Sequence, residues 1–320
     1  MKAMYVREAG FPGELSYEDA PDPTLGDGLV LIRVRSVGVN YGDYLVRLGA
    51  YLAKAEFPTI PGMEVAGTVE AVGPGVSGLA PGMPVIALVE HAYAELVITP
   101  ALTVLPMPAN LDFDQAAAIP VAFGTAWHAL TTLANVQPGE RVLVHAAGSG
   151  VGSAAIPLAK YLGAWVIATA GQPWKLDRAR QLGADAVADY QSVASEVTRL
   201  TDGRGVDVVL EGVGKTTFGA SLRSLAEGGR LVSYGSPSGP RVELDTLEAI
   251  RRNLTLHAMW LGTSAQFPRT LQTFATHVLP AFADGRLAPV LDRVYPLSEA
   301  AEAHKRLVDR NQFGKLVLSV

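Results

Sequence analysis

One stretch of the chain, residues 141–152, constrains the fold more than any other. Its sequence is RVLVHAAGSGVG, an apolar strand-like run that breaks into a glycine-rich turn and then opens a helix of small residues. Glycines let the backbone approach a ligand closely, and the amides at a helix N-terminus attract negative charge. The stretch therefore predicts a site for the pyrophosphate of a dinucleotide. A purely structural turn is the alternative, because Gly148, Gly150 and Gly152 do not fit the pattern G-x-G-x-x-G.

The sequence around this turn predicts a complete β-α-β unit. A strand at residues 142–145 is followed by a helix at 151–162, which Gly163 ends, and by a second strand at 165–169. Further strands are predicted at residues 186–189, 207–210, 230–234 and 255–260, with helical segments between them. Because strands and helices alternate, we expect a doubly wound parallel sheet.

The first part of the chain has a different pattern. Short alternating runs separated by Pro and Gly, typical of a barrel-like β domain, occur at residues 29–39, 65–72, 85–89 and 95–99. After the α/β segment, helices at 267–284 and 298–308 and a strand at 315–319 are expected to return to the β domain.

The predicted fold class is therefore α/β, with two domains in 320 residues. A Rossmann-type doubly wound parallel sheet domain, residues 122–262, is inserted in a β-rich, barrel-like catalytic domain made of residues 1–121 and 263–320. An insertion of this kind leaves a cleft at the domain junction, where ligands bind.

Composition excludes several classes of site and partner. The chain has no cysteine, which rules out disulfides, thiolate catalysis and cysteine metal sites, and its six histidines lack metal-binding spacing, so no metal site is predicted. A net charge of −5 without a basic run argues against nucleic acid or membrane partners. The N-terminal sequence lacks the apolar core of a signal peptide, and Pro120 and Gly124 interrupt the best apolar run. We expect a cytoplasmic protein that acts on small molecules.

Five motifs follow one another along nearly the whole chain. They are VGVNYGDYLVRLGAY at 37–51, PGMEVAGTVEAVGPGV at 61–76, VHAAGSGVG at 144–152, VIATAGQPWKLDRARQLGAD at 166–185 and GGRLVSYG at 228–235. In this order they resemble the medium-chain dehydrogenase/reductase superfamily, and within it the zinc-free quinone oxidoreductases related to zeta-crystallin. The resemblance implies that the β-rich domain is GroES-like.

The resemblance also shows which residues are missing. Zinc-dependent alcohol dehydrogenases of the superfamily carry Cys-His-Cys ligands where this chain has Asn40, Met63 and Val121. Without a Lewis acid to polarise a simple ketone, the acceptor has to be electrophilic already. Quinones and conjugated enones or enals meet that requirement.

The expected cofactor follows from the end of the second strand in the α/β segment. A site that prefers NAD carries Asp or Glu there to hold the ribose 2′-hydroxyl. Residues 166–174 contain no acid, Ala170 or Gly171 occupies the position expected for that acid, and Lys175 follows. We therefore expect NADPH, although Lys175 taken alone has the alternative of a solvated first-turn lysine.

The resemblance supplies the remaining cofactor contacts. The full set is Asn40, Thr125, Gly148, Ser149, Gly150, Val151, Gly152, Lys175, Tyr190, Gly235 and Arg310. Tyr190 and Arg310 match positions around the 2′-phosphate, but a strand-end tyrosine and an ordinary charged turn are the alternatives. Ser149 replaces a glycine common in the family, so its hydroxyl either binds the pyrophosphate or crowds it.

The tripeptide G-K-T at residues 214–216 imitates the end of a P-loop. The P-loop pattern requires glycine where Val209 stands inside a predicted strand. The tripeptide is instead predicted to form the turn after the fourth strand of the parallel sheet.

The resemblance assigns Asn40, Tyr44 and Tyr51 to the catalytic site. Tyrosines in a barrel loop often only pack, but related enoyl reductases carry a tyrosine at position 51 that can donate a proton to an enolate.

Three functions remain open at this stage. They are an NADPH-dependent quinone reductase, an NADPH-dependent reductase of activated carbon–carbon double bonds, and a non-catalytic NADPH-binding structural or sensor protein. The apolar segment 254–261 is a candidate edge strand, which predicts a homodimer.

Overall fold

The structure is a computed structural model that describes residues 1–10, 14–263 and 265–320. These residues form two compact units. The first contains Met1–Val121 and Ala275–Val320, and the second contains Ala122–Phe274. Among the described residues, no helix combines the length and apolar character needed to cross a membrane.

The strands are β1 (Lys2–Val6), β2 (Leu15–Asp19), β3 (Leu29–Val39), β4 (Glu64–Val72), β5 (Pro84–Leu88), β6 (Leu96–Pro100), β7 (Val104–Pro106), β8 (Arg141–Val144), β9 (Trp165–Thr169), β10 (Ala186–Ala188), β11 (Val206–Glu211), β12 (Leu225–Ser233), β13 (Thr255–Ala258), β14 (Leu291–Pro296) and β15 (Lys315–Ser319). The α-helices are α1 (Tyr41–Arg47), α2 (Phe113–Ala117), α3 (Pro120–Trp127), α4 (Gly150–Tyr161), α5 (Pro173–Gln181), α6 (Val193–Leu200), α7 (Phe218–Ser224), α8 (Thr246–Arg251), α9 (Phe267–His277), α10 (Leu279–Ala283) and α11 (Ala300–Val308). A π-helical segment, His128–Leu133, directly follows α3.

The second unit contains a six-stranded sheet in the order β10-β9-β8-β11-β12-β13. Every neighbouring pair is parallel, which confirms the predicted doubly wound sheet. Its strands are apolar runs whose central residues, such as Leu143, Ile167 and Val209, are fully buried, as expected when helices cover both faces. The order in which strands are added to the sheet reverses between β8 and β11. Ligands of such sheets bind at the carboxyl ends of the strands beside this reversal.

The first unit is built around the long strand β3. Its main sheet has the order β14-β15-β3-β4-β5-β7, and β6 also pairs with β3, while β1 and β2 form a separate antiparallel pair. Side chains along β3 alternate between the core and the surface, so Val30, Ile32 and Val34 are buried. The mainly antiparallel sheet with one buried face agrees with the β-rich, GroES-like domain expected from the sequence.

The structure differs from the sequence prediction where the chain returns to the first unit. The return lies after Phe274 instead of after residue 262. The first part of α9 belongs to the second unit because the Thr270 hydroxyl lies 2.6 Å from His128 Nδ1 and Trp127 Nε1 donates to the Thr273 hydroxyl at 3.0 Å. These contacts join segments about 140 residues apart in the chain, so local sequence patterns do not report them.

The single helix predicted at residues 267–284 is wrong. The structure has two helices, α9 and α10, with Val278 between them. Pro280 lies in the first turn of α10, where its missing N–H costs nothing, whereas inside a continuous helix it would remove a hydrogen bond and clash with the preceding turn.

Candidate functional site

The glycine-rich turn joins β8 to α4, as the sequence predicts. The hydroxyl of Ser149 accepts a hydrogen bond from the amide of Gly152 at 3.0 Å and so caps the helix, a role that neither sequence interpretation included. Ala146 takes the left-handed conformation in this turn, with φ of 54°. Gly152 is needed for close packing, because a Cβ there would lie 2.1 Å from the Ala146 carbonyl oxygen.

The same turn has the properties of an anion site. The amides of Gly150 and Val151 begin α4, and amides in the first turn of a helix have no acceptor within that helix. The positive end of the helix dipole adds to their attraction for a phosphate group. The residues present therefore fit the pyrophosphate of a dinucleotide.

A second group of predicted residues follows β9. Tyr190 packs over Gly171, where a Cβ would lie 3.4 Å from the tyrosine ring. Lys175 is the third residue of α5 and only 8% of it is exposed, with Nζ 5.2 Å from the centre of the Trp174 ring. Lys175 is therefore not a solvated first-turn lysine.

The other predicted cofactor residues are distributed over both units. Thr125 lies in α3 and is 8% exposed, and Gly235 follows β12, where a Cβ would lie 3.4 Å from the Gly212 carbonyl oxygen. Arg310 belongs to the first unit and has a φ of 56° after α11. Burial raises the pKa of Tyr41, and the positive charge of Arg310 opposes that rise. The roles of these residues toward a cofactor stay predictions.

The G-K-T tripeptide occupies the turn between β11 and α7, where the sequence predicts it. The Lys215 amide donates to the Gly239 carbonyl oxygen at 3.2 Å, and the Thr216 amide donates to the Ser238 hydroxyl at 3.1 Å. The turn is therefore held against the loop that follows β12.

A buried carboxylate lies at the carboxyl end of β11. Glu211 has no exposed surface and accepts hydrogen bonds from the hydroxyls of Ser221 at 2.5 Å and Thr217 at 2.9 Å. It also accepts from the amides of Val213 at 2.8 Å and Gly214 at 3.0 Å. These bonds fix the turn between β11 and α7.

The same network includes His145, the residue after β8. Its Nε2 lies 2.9 Å from the Ser221 hydroxyl and its Nδ1 lies 2.7 Å from the Thr169 hydroxyl at the end of β9. The Ser221 hydroxyl donates its proton to Glu211 Oε2 or to the Thr217 carbonyl oxygen, so it can only accept from His145. His145 therefore carries its proton on Nε2, and its Nδ1 accepts from the Thr169 hydroxyl. Burial lowers the pKa of His145, which favours this neutral imidazole.

In the first unit, Asn40 lies in a second buried polar cluster. Its Nδ2 donates to Glu64 Oε1 at 2.9 Å and to the Gly38 carbonyl oxygen at 3.2 Å, while its Oδ1 accepts from Lys315 Nζ at 2.5 Å. Lys315 also forms a salt bridge with Glu64 at 2.5 Å, and the other Glu64 oxygen accepts from the Val121 amide at 2.8 Å. The orientation of the Asn40 amide is thereby fixed.

A third buried chain of polar groups starts at the N-terminus of α1. Asp43 Oδ2 accepts from the Asn40 backbone amide at 2.8 Å and from the Tyr93 hydroxyl at 3.2 Å, and that hydroxyl lies 2.9 Å from His304 Nε2. Burial raises the pKa of Asp43 to about 7 and lowers the pKa of His304 to about 3. His304 is consequently neutral at physiological pH.

The two predicted catalytic tyrosines have different surroundings. Tyr44 is buried, with its ring centre 5.7 Å from that of Tyr41 and 6.3 Å from that of His304, as in a packing residue. Tyr51 is half-buried, and its hydroxyl lies 3.6 Å from Met63 Sδ, one residue before Glu64 in the chain. The structure therefore favours Tyr51 over Tyr44 as a reactive group.

Sequence reasoning missed the charged residues that organise these clusters. Glu64 and Lys315 each stand at the first position of a strand, Glu211 stands at the last position of another, and all three side chains are buried. A charge is almost never buried without a partner, so such positions carry a usable signal. In the ranges that the structure describes, no three His, Asp or Glu side chains are grouped to hold a metal ion.

Two family models match the chain. "Alcohol dehydrogenase GroES-like domain" covers residues 26–109, and "Zinc-binding dehydrogenase" covers residues 150–276. Each lies mainly within one of the two compact units.

Relatives with known names cover nearly the whole chain. Quinone oxidoreductase of Sus scrofa is 34% identical over 324 residues, which are 99% of this chain and 97% of that protein. A solved structure of the quinone oxidoreductase from Thermus thermophilus, described also in complex with NADPH, is 38% identical with a TM-score of 0.89 and full coverage of both chains. A structure described as NAD-dependent alcohol dehydrogenase is 36% identical, with a TM-score of 0.91 and full coverage of both chains.

Other relatives are much longer. The pikromycin polyketide synthase component PikAII of Streptomyces venezuelae is 38% identical over 305 residues, which are 94% of this chain but 8% of that protein. The chain spans between 5% and 13% of the length of the polyketide synthases it matches.

The fold and the two family matches define the medium-chain dehydrogenase/reductase superfamily. Within it, the chain belongs to the zinc-free quinone oxidoreductases.

Proposed function

We propose that the chain is an NADPH-dependent quinone reductase that needs no metal ion. The observation that carries this proposal is the acid-free segment after β9, where Tyr190 packs over Gly171 and Lys175 is buried in the first turn of α5. An acid at this place would hold the 2′-hydroxyl of NAD, whereas a lysine there attracts the 2′-phosphate of NADPH. Hydrogen bonds to charged groups contribute about 1.5 to 3 kcal/mol each.

The predicted site residues have separate roles in this proposal. The turn before α4 binds the pyrophosphate, and Lys175 and Tyr190 bind the 2′-phosphate. NADPH supplies a hydride when bound. Asn40, whose side-chain amide is held by Lys315 and Glu64, keeps the catalytic role that the family resemblance assigns to it.

A second candidate acceptor is an enal or enone. The observation that favours it is the half-buried Tyr51 hydroxyl beside Met63, because reduction of a conjugated double bond requires a proton at the α-carbon. A quinone product, by contrast, takes its protons from water.

An acceptor panel with NADPH tests both candidates, and the Tyr51→Phe variant separates them. If the enzyme reduces enals through Tyr51, this variant loses about 10²- to 10⁴-fold in enal reduction and little in quinone reduction. Tyr17→Phe, which changes an exposed tyrosine on β2, is the matched control. An equal loss on both acceptors would make Tyr51 a packing residue. NADPH binding without turnover of any acceptor would instead support a structural or sensor protein.

We also propose that the chain forms a homodimer through the edge of the parallel sheet. β13 is the last strand of that sheet, and the neighbouring α8 exposes Leu247 by 77% and Ile250 by 70%. Replacing both residues with Glu should shift the mass measured by light scattering from dimer to monomer; an unchanged mass would contradict this interface. A cytoplasmic location stays a prediction.

A further inference from the structure

Trp174, beside the proposed phosphate site, is a large aromatic residue with 42% of its surface exposed. It is the second residue of α5, directly after Pro173. The indole Nε1 donates to Gln172 Oε1 at 2.5 Å, which fixes the ring relative to the helix N-terminus. Its exposure shows that core packing does not account for the side chain.

The ring of Trp174 has a specific neighbour. Lys175 Nζ lies 5.2 Å from the ring centre, within the range of a cation–π interaction, for which tryptophan is the best partner. The lysine is 8% exposed, whereas the tryptophan beside it is 42% exposed. The indole therefore restricts where the ammonium group can go.

The position of Lys175 is not explained by helix stability. A cation in the first turn of a helix faces the positive end of the helix dipole, which is unfavourable.

We propose that Trp174 is a positioning residue that holds the Lys175 ammonium in place for the 2′-phosphate of NADPH and thereby strengthens discrimination against NADH. A free lysine side chain has many rotamers, and part of this conformational entropy is lost when the ammonium is fixed on a phosphate. The indole restricts the side chain before the phosphate arrives, so less is lost on binding. This inference rests on the proposed function, and it adds the residue that prepares the lysine.

The experiment measures binding by calorimetry, without turnover. The probes are NADPH and NADH, together with adenosine 2′,5′-bisphosphate and adenosine 5′-monophosphate, which differ by the 2′-phosphate alone. We expect Trp174→Leu to weaken NADPH and the bisphosphate about three- to ten-fold and to change NADH and the monophosphate by less than about two-fold. Trp174→Phe keeps an aromatic face and should retain most of the affinity.

The Lys175→Ala background shows whether Trp174 acts through the lysine. In that background, Trp174→Leu should have no further effect on any of the four probes. Equal weakening of all four probes in the wild-type background, or a loss that persists without Lys175, would mean that Trp174 contacts the adenosine itself and would overturn the proposal. Unchanged NADPH affinity in Trp174→Leu would also overturn it.

The same set of variants distinguishes this inference from the proposed cofactor. If Lys175→Ala weakens NADPH and NADH equally, the NADPH assignment fails. If Lys175→Ala is selective for NADPH but Trp174→Leu is not, only the role of Trp174 fails.

Discussion

Replacing Asp43 with asparagine tests whether this buried carboxyl group binds a proton in the folded protein. Asp43 has no exposed surface, and its Oδ2 accepts from the Asn40 backbone amide and the Tyr93 hydroxyl. Burial is the largest cause that raises its pKa from 3.8 to about 7, while the charge of Lys315 opposes the shift and the charge of Glu64 adds to it. An asparagine side chain at this position would keep the shape and an acceptor oxygen but would not titrate.

The sign and size of the effect follow from the two pKa values. The folded state binds the proton more tightly than the unfolded chain, so stability is greatest at low pH and falls as the pH rises through about 7. Between about pH 5 and pH 7, the folded protein holds a proton that the unfolded chain has lost. At about 1.4 kcal/mol per pH unit, the loss of stability across this range is about 2 to 3 kcal/mol.

Urea unfolding at about pH 5 and pH 8 measures this difference. We expect the wild type to lose about 2 to 3 kcal/mol relative to Asp43→Asn over this interval. His304, with its pKa at about 3, and Tyr93, whose pKa burial raises well above 10.0, do not change charge between these values, while Glu64, Lys315 and Arg47 are present in both proteins. Asp27→Asn, at an exposed aspartate of the same unit, should follow the wild type. Parallel pH profiles for the wild type and Asp43→Asn would refute the reasoning.

Three further results are expected. Lys175→Ala should weaken NADPH at least about ten-fold and scarcely affect NADH, measured by fluorescence titration, whereas an equal loss would contradict the phosphate site. The purified protein should contain no stoichiometric zinc and should keep its activity in chelator, because the chain has no cysteine; zinc that is lost together with activity would show the opposite. Gly38→Ala should lower the free energy of unfolding by about 1 to 3 kcal/mol, since its Cβ would lie 2.4 Å from Glu64 Oε1; unchanged urea unfolding would show that the site relaxes.

Local pattern predicted much of the fold. The strand at 165–169 and the strand at 315–319 have the bounds that the sequence predicts, because apolar runs between turn residues report strand formation directly. The glycine-rich turn was predicted at the correct place, but Ala146 rather than a glycine takes the left-handed conformation. Pattern identifies a turn more reliably than it identifies which residue takes the special backbone angles.

The polar clusters required three-dimensional information. Lys315 reaches Asn40 across 275 positions of the chain, and the Tyr93 hydroxyl reaches His304 across 211 positions. No local periodicity reports pairs of this kind. What the sequence did contain was the residue type, since a lone charge in an apolar strand implies a buried partner without naming it.

The Lys315–Glu64 pair is better explained by the orientation of Asn40 than by stability. Buried ion pairs recover little more than the cost of removing both charges from water, and apolar replacements are often as stable. An asparagine amide has two nearly symmetric orientations, and its hydrogen-bonding partners distinguish them. Here the Lys315 ammonium donates to the amide oxygen of Asn40, and the amide nitrogen donates to one Glu64 oxygen. The second Glu64 oxygen accepts from the Val121 backbone amide. The Lys315–Glu64 ion pair thus fixes both the orientation of the Asn40 side chain and the backbone at the start of α3. This role explains two buried charges that stability alone does not require.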